Sequence, residues 1–248
     1  MQETLSEIIL NQQIKGPYWK MILKAGWQDY KPGQFLMLEI PGVFLRRPFG
    51  IVKLKGGELE VCYKVVGRGT QELTAVKPGT KTHILGPIGN GFDILNANTA
   101  TNYLIAGGYG IAPLFGLAQK LKTIGANIHF YYGAKGKDDL LYVDELLDLG
   151  VNLHLTTEDG SKGEKGLVTD SLKKSSTNHD SRFTVYVCGP HPMLKAVAAI
   201  FPDEQLSLES LMGCGIGVCS GCVIKDKNGN FLRVCKEGPV FKASSIVL

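Results

Sequence analysis

The sequence lacks any run of five like charges, and its 27 basic and 23 acidic residues leave a dispersed net charge of +4. Nucleic-acid binders concentrate positive charge on one face, so no nucleic-acid partner is expected. The first ten residues, M-Q-E-T-L-S-E-I-I-L, carry acids where a signal peptide would carry Lys or Arg, and export is not expected. One uncharged stretch covers residues 94–119, but its apolar part, 103–118, is only 16 residues long and contains Gly107, Gly108, Gly110 and Pro113. It is too short and too broken to span a bilayer, so no membrane partner is expected either. Histidine is scarce and scattered: His83, His129, His154, His179 and His191 show no metal spacing and no neighbouring nucleophile. These absences predict a soluble protein in a reducing, cytoplasmic setting. With 248 residues, 44% of them apolar, the chain can build two or three domains with real cores.

Cysteine is present and concentrated. Four of the six, Cys214, Cys219, Cys222 and Cys235, follow C-x4-C-x2-C with the fourth after twelve further residues. This is the plant-type spacing for a [2Fe–2S] cluster held by four thiolates. Gly213, Gly215, Gly217 and Gly221 between them let the chain wrap closely and aim N–H groups at sulfur. Two other readings stand beside it. A four-cysteine zinc site normally presents two C-x2-C knuckles, and only one occurs here. Disulfides suit small secreted domains.

The first ninety residues predict β structure, with short Val/Ile/Leu-rich strands at 4–14, 18–25, 34–40, 50–55, 58–66 and 80–85 and a hairpin at Gly56-Gly57. Their even spacing points to a small antiparallel barrel. Three of its loops stand out. L-R-R-P-F-G at Leu45 sets two guanidinium groups beside a rigid proline and an aromatic ring, suiting a pyrophosphate and a flat ring system. G-R-G-T at Gly67 offers amide donors and a hydroxyl, and G-P-I-G-N-G-F at Gly86 forms a tight turn. Each is also compatible with an ordinary barrel turn.

From about residue 98 strand and helix alternate. Strands are expected at 102–106, 127–133, 151–156 and 183–188, with helices from the turn at Gly107 to about residue 124 and near 140–149, 167–175 and 192–200. This predicts a doubly wound parallel sheet covered by helices. The turn G-G-Y-G-I-A-P after its first strand is where such sheets seat a nucleotide pyrophosphate, although its spacing is G-x-G-x-x-P rather than G-x-G-x-x-G. Lys135 and Lys137 follow the second strand, where they would either meet a 2′-phosphate or serve solubility, so charge does not choose between NADH and NADPH. Cys188-Gly189-Pro190 ends a strand at the carboxyl edge, and Cys62 reads as packing.

A nicotinamide gives up two electrons at once as hydride, while a [2Fe–2S] cluster takes one. A flavin converts between them, and the Arg-Pro-aromatic loop is its natural seat. Barrel, nucleotide domain and cluster, in that order, resemble the ferredoxin-reductase-like flavoproteins, and more narrowly the electron-transfer subunits of NAD-dependent dihydroorotate dehydrogenases. The resemblance covers nearly the whole chain and is most specific in L-E-S-x-M-x-C-G-x-G-x-C-x-x-C at Leu208 and V-C-K-E-G-P-V-F ending at Phe241. It implies an FAD-binding barrel over 1–96, an NAD-binding domain over 97–204 and a cluster domain over 205–248. It places FAD on Arg47, Pro48, Phe49 and Gly50, on Tyr63, Lys64 and Val65, and on Gly69 and Thr70. NAD(H) falls to Gly107, Gly108, Gly110 and Pro113, with Cys188 as the candidate catalytic group near the nicotinamide. Cys214, Cys219, Cys222 and Cys235 become cluster ligands. Its implied partner is an FMN-containing catalytic subunit, in a heterotetramer of two of each chain serving pyrimidine biosynthesis. A diaphorase subunit feeding a hydrogenase, sulfur reductase or ferredoxin:NADP oxidoreductase shares these modules. Two residues depart from the family: Gly50 stands where a hydroxyl is usual, and Leu211 where Arg is common.

Overall fold

A computed structural model of the chain describes residues 1–175 and 183–248, so His179 lies outside the described residues. Strands β1 (Gln2–Lys15), β2 (Tyr18–Lys24), β3 (Phe35–Leu38), β4 (Arg47–Lys55), β5 (Glu58–Lys64) and β6 (Lys81–Ile88) close into a barrel in the order β1-β2-β5-β4-β3-β6. Alternation drives the closure: along β6, Thr82, Ile84, Gly86 and Ile88 are buried while their neighbours are not, Ile84 in the barrel core and Ile88 in the core shared with the C-terminal segment. The interior is mostly aliphatic, with Met21, Leu23, Leu36, Ile51, Val61 and Ile84 without exposed surface beside Trp27, Phe49 and Tyr63. Gly56 and Gly57, both at positive φ (61° and 81°), make the β4–β5 hairpin turn anticipated from the sequence. One expectation is corrected: G-R-G-T is not a loop but the start of helix α1 (Arg68–Thr74). Thr70 Oγ1 accepts hydrogen bonds from the N–H groups of Val66 (3.0 Å) and Gly67 (3.2 Å), which offsets the two glycines at the start.

The second layer system comprises β7 (Thr101–Gly107), α2 (Ile111–Thr123), β8 (Asn127–Ala134), α3 (Val143–Asp148), β9 (Asn152–Thr157), β10 (Glu164–Lys165), α4 (Val168–Ser175), β11 (Phe183–Cys188), α5 (His191–Ala198) and β12 (Gln205–Ser207). The strands run parallel in the order β10-β9-β8-β7-β11-β12. The winding reverses between β7 and β11, whose carboxyl ends lie side by side with Ala106 opposite Cys188. Ligands of open α/β sheets settle at such a reversal. Beyond β12 the chain leaves the sheet, forms the hairpin β13 (Val223–Lys225) and β14 (Phe231–Arg233), and returns as β15 (Val240–Lys242), antiparallel to β12 at the sheet edge.

Packing fixes these parts to one another. Helix α2 lies against β4, and a Cβ on Gly116 would come within 2.4 Å of Tyr30 Oη and 2.6 Å of the Val52 carbonyl oxygen, so only glycine permits the approach. Across the same seam the buried Glu60 carboxylate accepts a hydrogen bond from Tyr142 Oη (2.8 Å) and pairs with Lys53 (3.0 Å). Two strands along the barrel, past the end of β6, a Cβ on Gly89 would lie 2.5 Å from Pro239 Cδ and 2.6 Å from the Gly238 carbonyl oxygen. The G-P-I-G-N-G-F turn therefore clasps the C-terminal segment.

Glu204, just before β12, is 3% exposed, and neither of its carboxylate oxygens has a hydrogen-bond partner among the described residues. Burial, aided by Asp203, pushes its carboxyl from 4.5 up to about 7. Within that window the folded protein keeps a proton that the unfolded chain has released, so stability falls as pH rises through it and stays reduced above it. The difference is worth about 3 kcal/mol. Glu204→Gln is therefore expected to raise Tm at pH 8 and to leave it nearly unchanged at pH 4; an equal gain at both would exclude ionisation as the cause.

Candidate functional site

A cavity of about 570 Å³ opens at the reversal between β7 and β11. Gly107, Gly108, Tyr109 and Gly110 form one wall, Gly189 and Pro190 the next, and Leu167 to Thr169 at the start of α4 another, while Tyr18 and Lys64 come from the barrel. Three glycines predicted for nucleotide binding thus line one space, and the structure explains two of them. A Cβ on Gly110 would lie 2.5 Å from the Cys188 carbonyl oxygen, and one on Gly107 would lie 2.6 Å from Met193 Sδ. Without side chains here, the amides at the head of α2 stay open to an anionic ligand. Pro113 is placed elsewhere: it is buried on α2 and faces Gly50 of β4, whose Cβ would sit 3.8 Å from Pro113 Cδ. Cys188 is 2% exposed and lies behind the cavity wall, and burial pushes its thiol above the ordinary cysteine range. It therefore stays a neutral thiol beneath the Gly189-Pro190 turn.

Sequence reasoning missed the floor of this cavity. Tyr18 Oη donates to Asp139 Oδ1 (2.5 Å), and Lys64 Nζ lies 3.7 Å from the same oxygen and 5.0 Å above the Tyr18 ring. Burial, then Asp139, pushes the Tyr18 phenol above its ordinary range, so it stays protonated and can donate. Tyr18 and Asp139 are 121 positions apart, and no local signal joins them. Glu209, exposed at the rim, has its carboxyl raised by desolvation from the surrounding protein. It lay inside the L-E-S motif without an assigned role.

The flavin-seat candidates gather on the outer surface of β4 and β5. Arg46 is committed to Glu3 and Glu39, which leaves Arg47. Its guanidinium donates only to the carbonyls of Leu45 (2.6 Å) and Arg46 (3.3 Å), with no carboxylate partner among the described residues. A Cβ on Gly69 would lie 3.0 Å from Arg47 Nε, so the arginine loop and the start of α1, read separately in the sequence, meet beside Thr70. An uncompensated guanidinium beside glycine backbone fits a pyrophosphate. The expectation of a free aromatic ring is corrected. Phe49 is 6% exposed and packs edge-on to Tyr63 (5.9 Å) inside the barrel, and Tyr63 Oη donates to Asn11 Oδ1. Strand alternation turns Pro48 and Gly50 outward instead, so Phe49 and Tyr63 offer backbone, while Lys64 continues the outer face and Val65 packs back against the barrel core.

In the cysteine loop, amide groups converge on sulfur. The N–H groups of Ile216 (3.5 Å), Val218 (3.4 Å) and Cys219 (3.4 Å) donate to Cys214 Sγ. Burial pushes the Cys214 thiol up, but these bonds together outweigh it and bring it down to about 6, favouring thiolate. Cys219 Sγ is cradled by glycine on both sides, since a Cβ on Gly213 or Gly221 would lie 3.4 or 3.5 Å from it. Cys222 and Cys235 form a buried pair with sulfurs 3.3 Å apart, and burial with the Cys222 contact pushes Cys235 up to about 12. All six cysteines are free, and 3.3 Å is far beyond the roughly 2.05 Å of an S–S bond, which overturns the disulfide reading. Among the described residues no three His, Cys, Asp or Glu side chains converge as a single metal ion requires. A two-iron cluster takes its thiolates two by two, and the donor set, glycine cradle and aimed amides fit that group.

Comparison with known proteins agrees with this anatomy. Residues 209–247 match the model described as the iron–sulfur cluster binding domain of dihydroorotate dehydrogenase B, and residues 104–199 match the oxidoreductase NAD-binding domain. A solved structure described as an NADH-dependent reduced ferredoxin-NADP oxidoreductase superposes with a TM-score of 0.88 at 30% identity, covering 98% of this chain and 90% of that one. The ferredoxin reductase of carbazole 1,9a-dioxygenase shares the fold, with a TM-score of 0.71 at 17% identity over 80% of this chain and 64% of its own. A dihydroorotate dehydrogenase B (NAD(+)) electron transfer subunit from Caldanaerobacter subterraneus is 38% identical over 98% of this chain and 97% of its own. Its counterpart from Fusobacterium nucleatum is 38% identical over 95% of each. The barrel, the reversed sheet and the four-cysteine loop thus belong together, and the chain is a member of the family of dihydroorotate dehydrogenase B (NAD(+)) electron transfer subunits.

Proposed function

We propose that this chain passes electrons between NADH and the FMN of a separate dihydroorotate dehydrogenase catalytic subunit, through FAD and a [2Fe–2S] cluster, in pyrimidine biosynthesis. When bound, FAD supplies the change from paired to single electrons and the cluster carries them one at a time. The chain's residues supply placement. Residues 1–96 hold FAD, with Arg47 at its pyrophosphate, the backbone of Pro48, Phe49 and Gly50 and of Tyr63, Lys64 and Val65 along its ring, and Gly69 and Thr70 closing the seat. Residues 97–204 hold NAD(H) at Gly107, Gly108 and Gly110, while Pro113 spaces α2 from Gly50. Residues 205–248 hold the cluster on Cys214, Cys219, Cys222 and Cys235. The observation that carries this reading is that the reversal cavity, the outer face of β4 and β5 and the cysteine loop occur in one packed unit: Lys64 of β5 lines the cavity, and Gly50 of β4 faces Pro113 on the helix that starts at it.

The catalytic partner fits the loop's surroundings. Leu211 and Val218 are 92% and 77% exposed beside the ligands, apolar surface that a neighbouring protein would cover. A heterotetramer of two of each chain, located in the cytoplasm, completes the proposal. No helix among the described residues is long and apolar enough to cross a membrane.

Purification from the native host tests the reading. The expected result is a coloured complex containing FAD, iron and sulfide together with an FMN-containing TIM-barrel protein. Recovery with a hydrogenase or ferredoxin-linked partner would favour the diaphorase reading, which the 30% identical oxidoreductase structure keeps in view. A role for Cys188 in positioning the nicotinamide predicts slower hydride transfer in Cys188→Ala; unchanged stopped-flow kinetics would remove it.

A further inference from the structure

We propose that Arg233 sets the reduction potential of the cluster by gripping the peptide between Gly217 and Val218, whose N–H points at the Cys214 sulfur. The inference rests on the iron–sulfur reading above. Arg233 Nη1 donates to the Gly217 carbonyl oxygen (2.8 Å), and the Val218 N–H donates to Cys214 Sγ (3.4 Å). These are the two ends of one planar amide, so holding its oxygen fixes the direction of its N–H. A cation on the carbonyl also polarises the amide and strengthens the bond at the far end. Hydrogen bonds to ligand sulfur stabilise the negative charge that arrives on reduction and so raise the potential.

The grip is itself held. Glu237 accepts from Arg233 at Nε (3.0 Å), Nη2 (2.5 Å) and the backbone N–H (2.7 Å). The Glu237 carbonyl oxygen accepts from Asn90 Nδ2 (2.8 Å), and the Asn90 N–H donates to the Gly238 carbonyl oxygen (2.6 Å). A continuous path therefore runs from the barrel's G-P-I-G-N-G-F turn through Asn90, Glu237 and Arg233 to a ligand sulfur. Arg233 is a positioning residue: it acts through the Gly217 peptide.

The test is an anaerobic, EPR-monitored redox titration of the full chain and three variants. Arg233→Met is expected to retain iron and sulfide and to shift the one-electron reduction equilibrium about tenfold toward the oxidised form, about 59 mV. Lys236 packs its methylenes on Gly217, where a Cβ would lie 2.7 Å from Lys236 Cδ, but it does not donate to the Gly217 carbonyl; Lys236→Met keeps that packing and removes the cation, and a clearly smaller shift is expected. Glu237→Ala frees Arg233 and is expected to lower the potential even though it removes a negative charge. It carries the test alone if Arg233→Met fails to hold the cluster. An unmoved potential in Arg233→Met, an equal shift in Lys236→Met, or a rise in Glu237→Ala would overturn the inference. Wild-type protein free of iron and without an EPR signal would instead overturn the iron–sulfur reading beneath it.

Discussion

Exchanging Cys222 for serine is expected to remove the iron–sulfur absorbance and EPR signal while NADH still reduces a small dye through the flavin. Cys222 is 3% exposed, its sulfur lies 3.3 Å from Cys235 Sγ, and its carbonyl accepts the Val234 N–H (3.0 Å), so the hairpin holds its sulfur in a fixed place. Serine keeps the volume roughly but not the thiolate chemistry that iron requires. Electron delivery to the catalytic subunit should fall by well over the ten- to hundredfold that follows removal of an outer partner of a metal ligand. Undiminished delivery in a variant without iron would show that the cysteine loop is not on the electron path.

Gly110→Ala is expected to lower NADH oxidation by about a hundredfold with iron content unchanged. The three atoms nearest an added Cβ are backbone: the Cys188 carbonyl oxygen at 2.5 Å, the Cys188 carbonyl carbon at 2.7 Å and Gly189 Cα at 2.9 Å. None can rotate aside, so the head of α2 must move away from the end of β11, and a displacement near 1 Å in a binding turn has effects of that order. Gly125→Ala, past the far end of α2, is the control. Its Cβ would meet nothing within 4 Å, and the cost is that of a positive φ (73°), about 1–2 kcal/mol of stability. Equal losses in both variants would mean that the domain is merely fragile.

The barrel and the sheet were legible because their signals are local. Alternation in β6, glycine punctuation at Gly56-Gly57 and the strand–glycine–helix transition at Gly107 each act within a few residues. The iron–sulfur domain was legible because the cysteine spacing is itself a local pattern. Other features depended on partners distant in sequence. Helix α1 was obscured by Gly67 and Gly69, which read as loop until Thr70 is seen accepting two amides. Phe49 looked like a stacking platform because the direction of a ring on a strand depends on register, and only the closed barrel turns it inward. The Tyr18–Asp139–Lys64 floor and the Asn90–Glu237 clasp join residues from separate units, and no local pattern announces either.

The excursion carrying the cysteines begins and ends on neighbouring strands of one sheet, since β12 precedes it and β15 pairs back onto β12. It is moored at both feet, and the Gly89–Asn90 turn holds its flank. Such a post has no hinge about which to swing, so electrons leaving it travel a set distance and the partner must come to it. Solvent viscosity should then slow complex formation while leaving turnover within the assembled complex untouched, unlike carriers that ferry charge on a mobile arm.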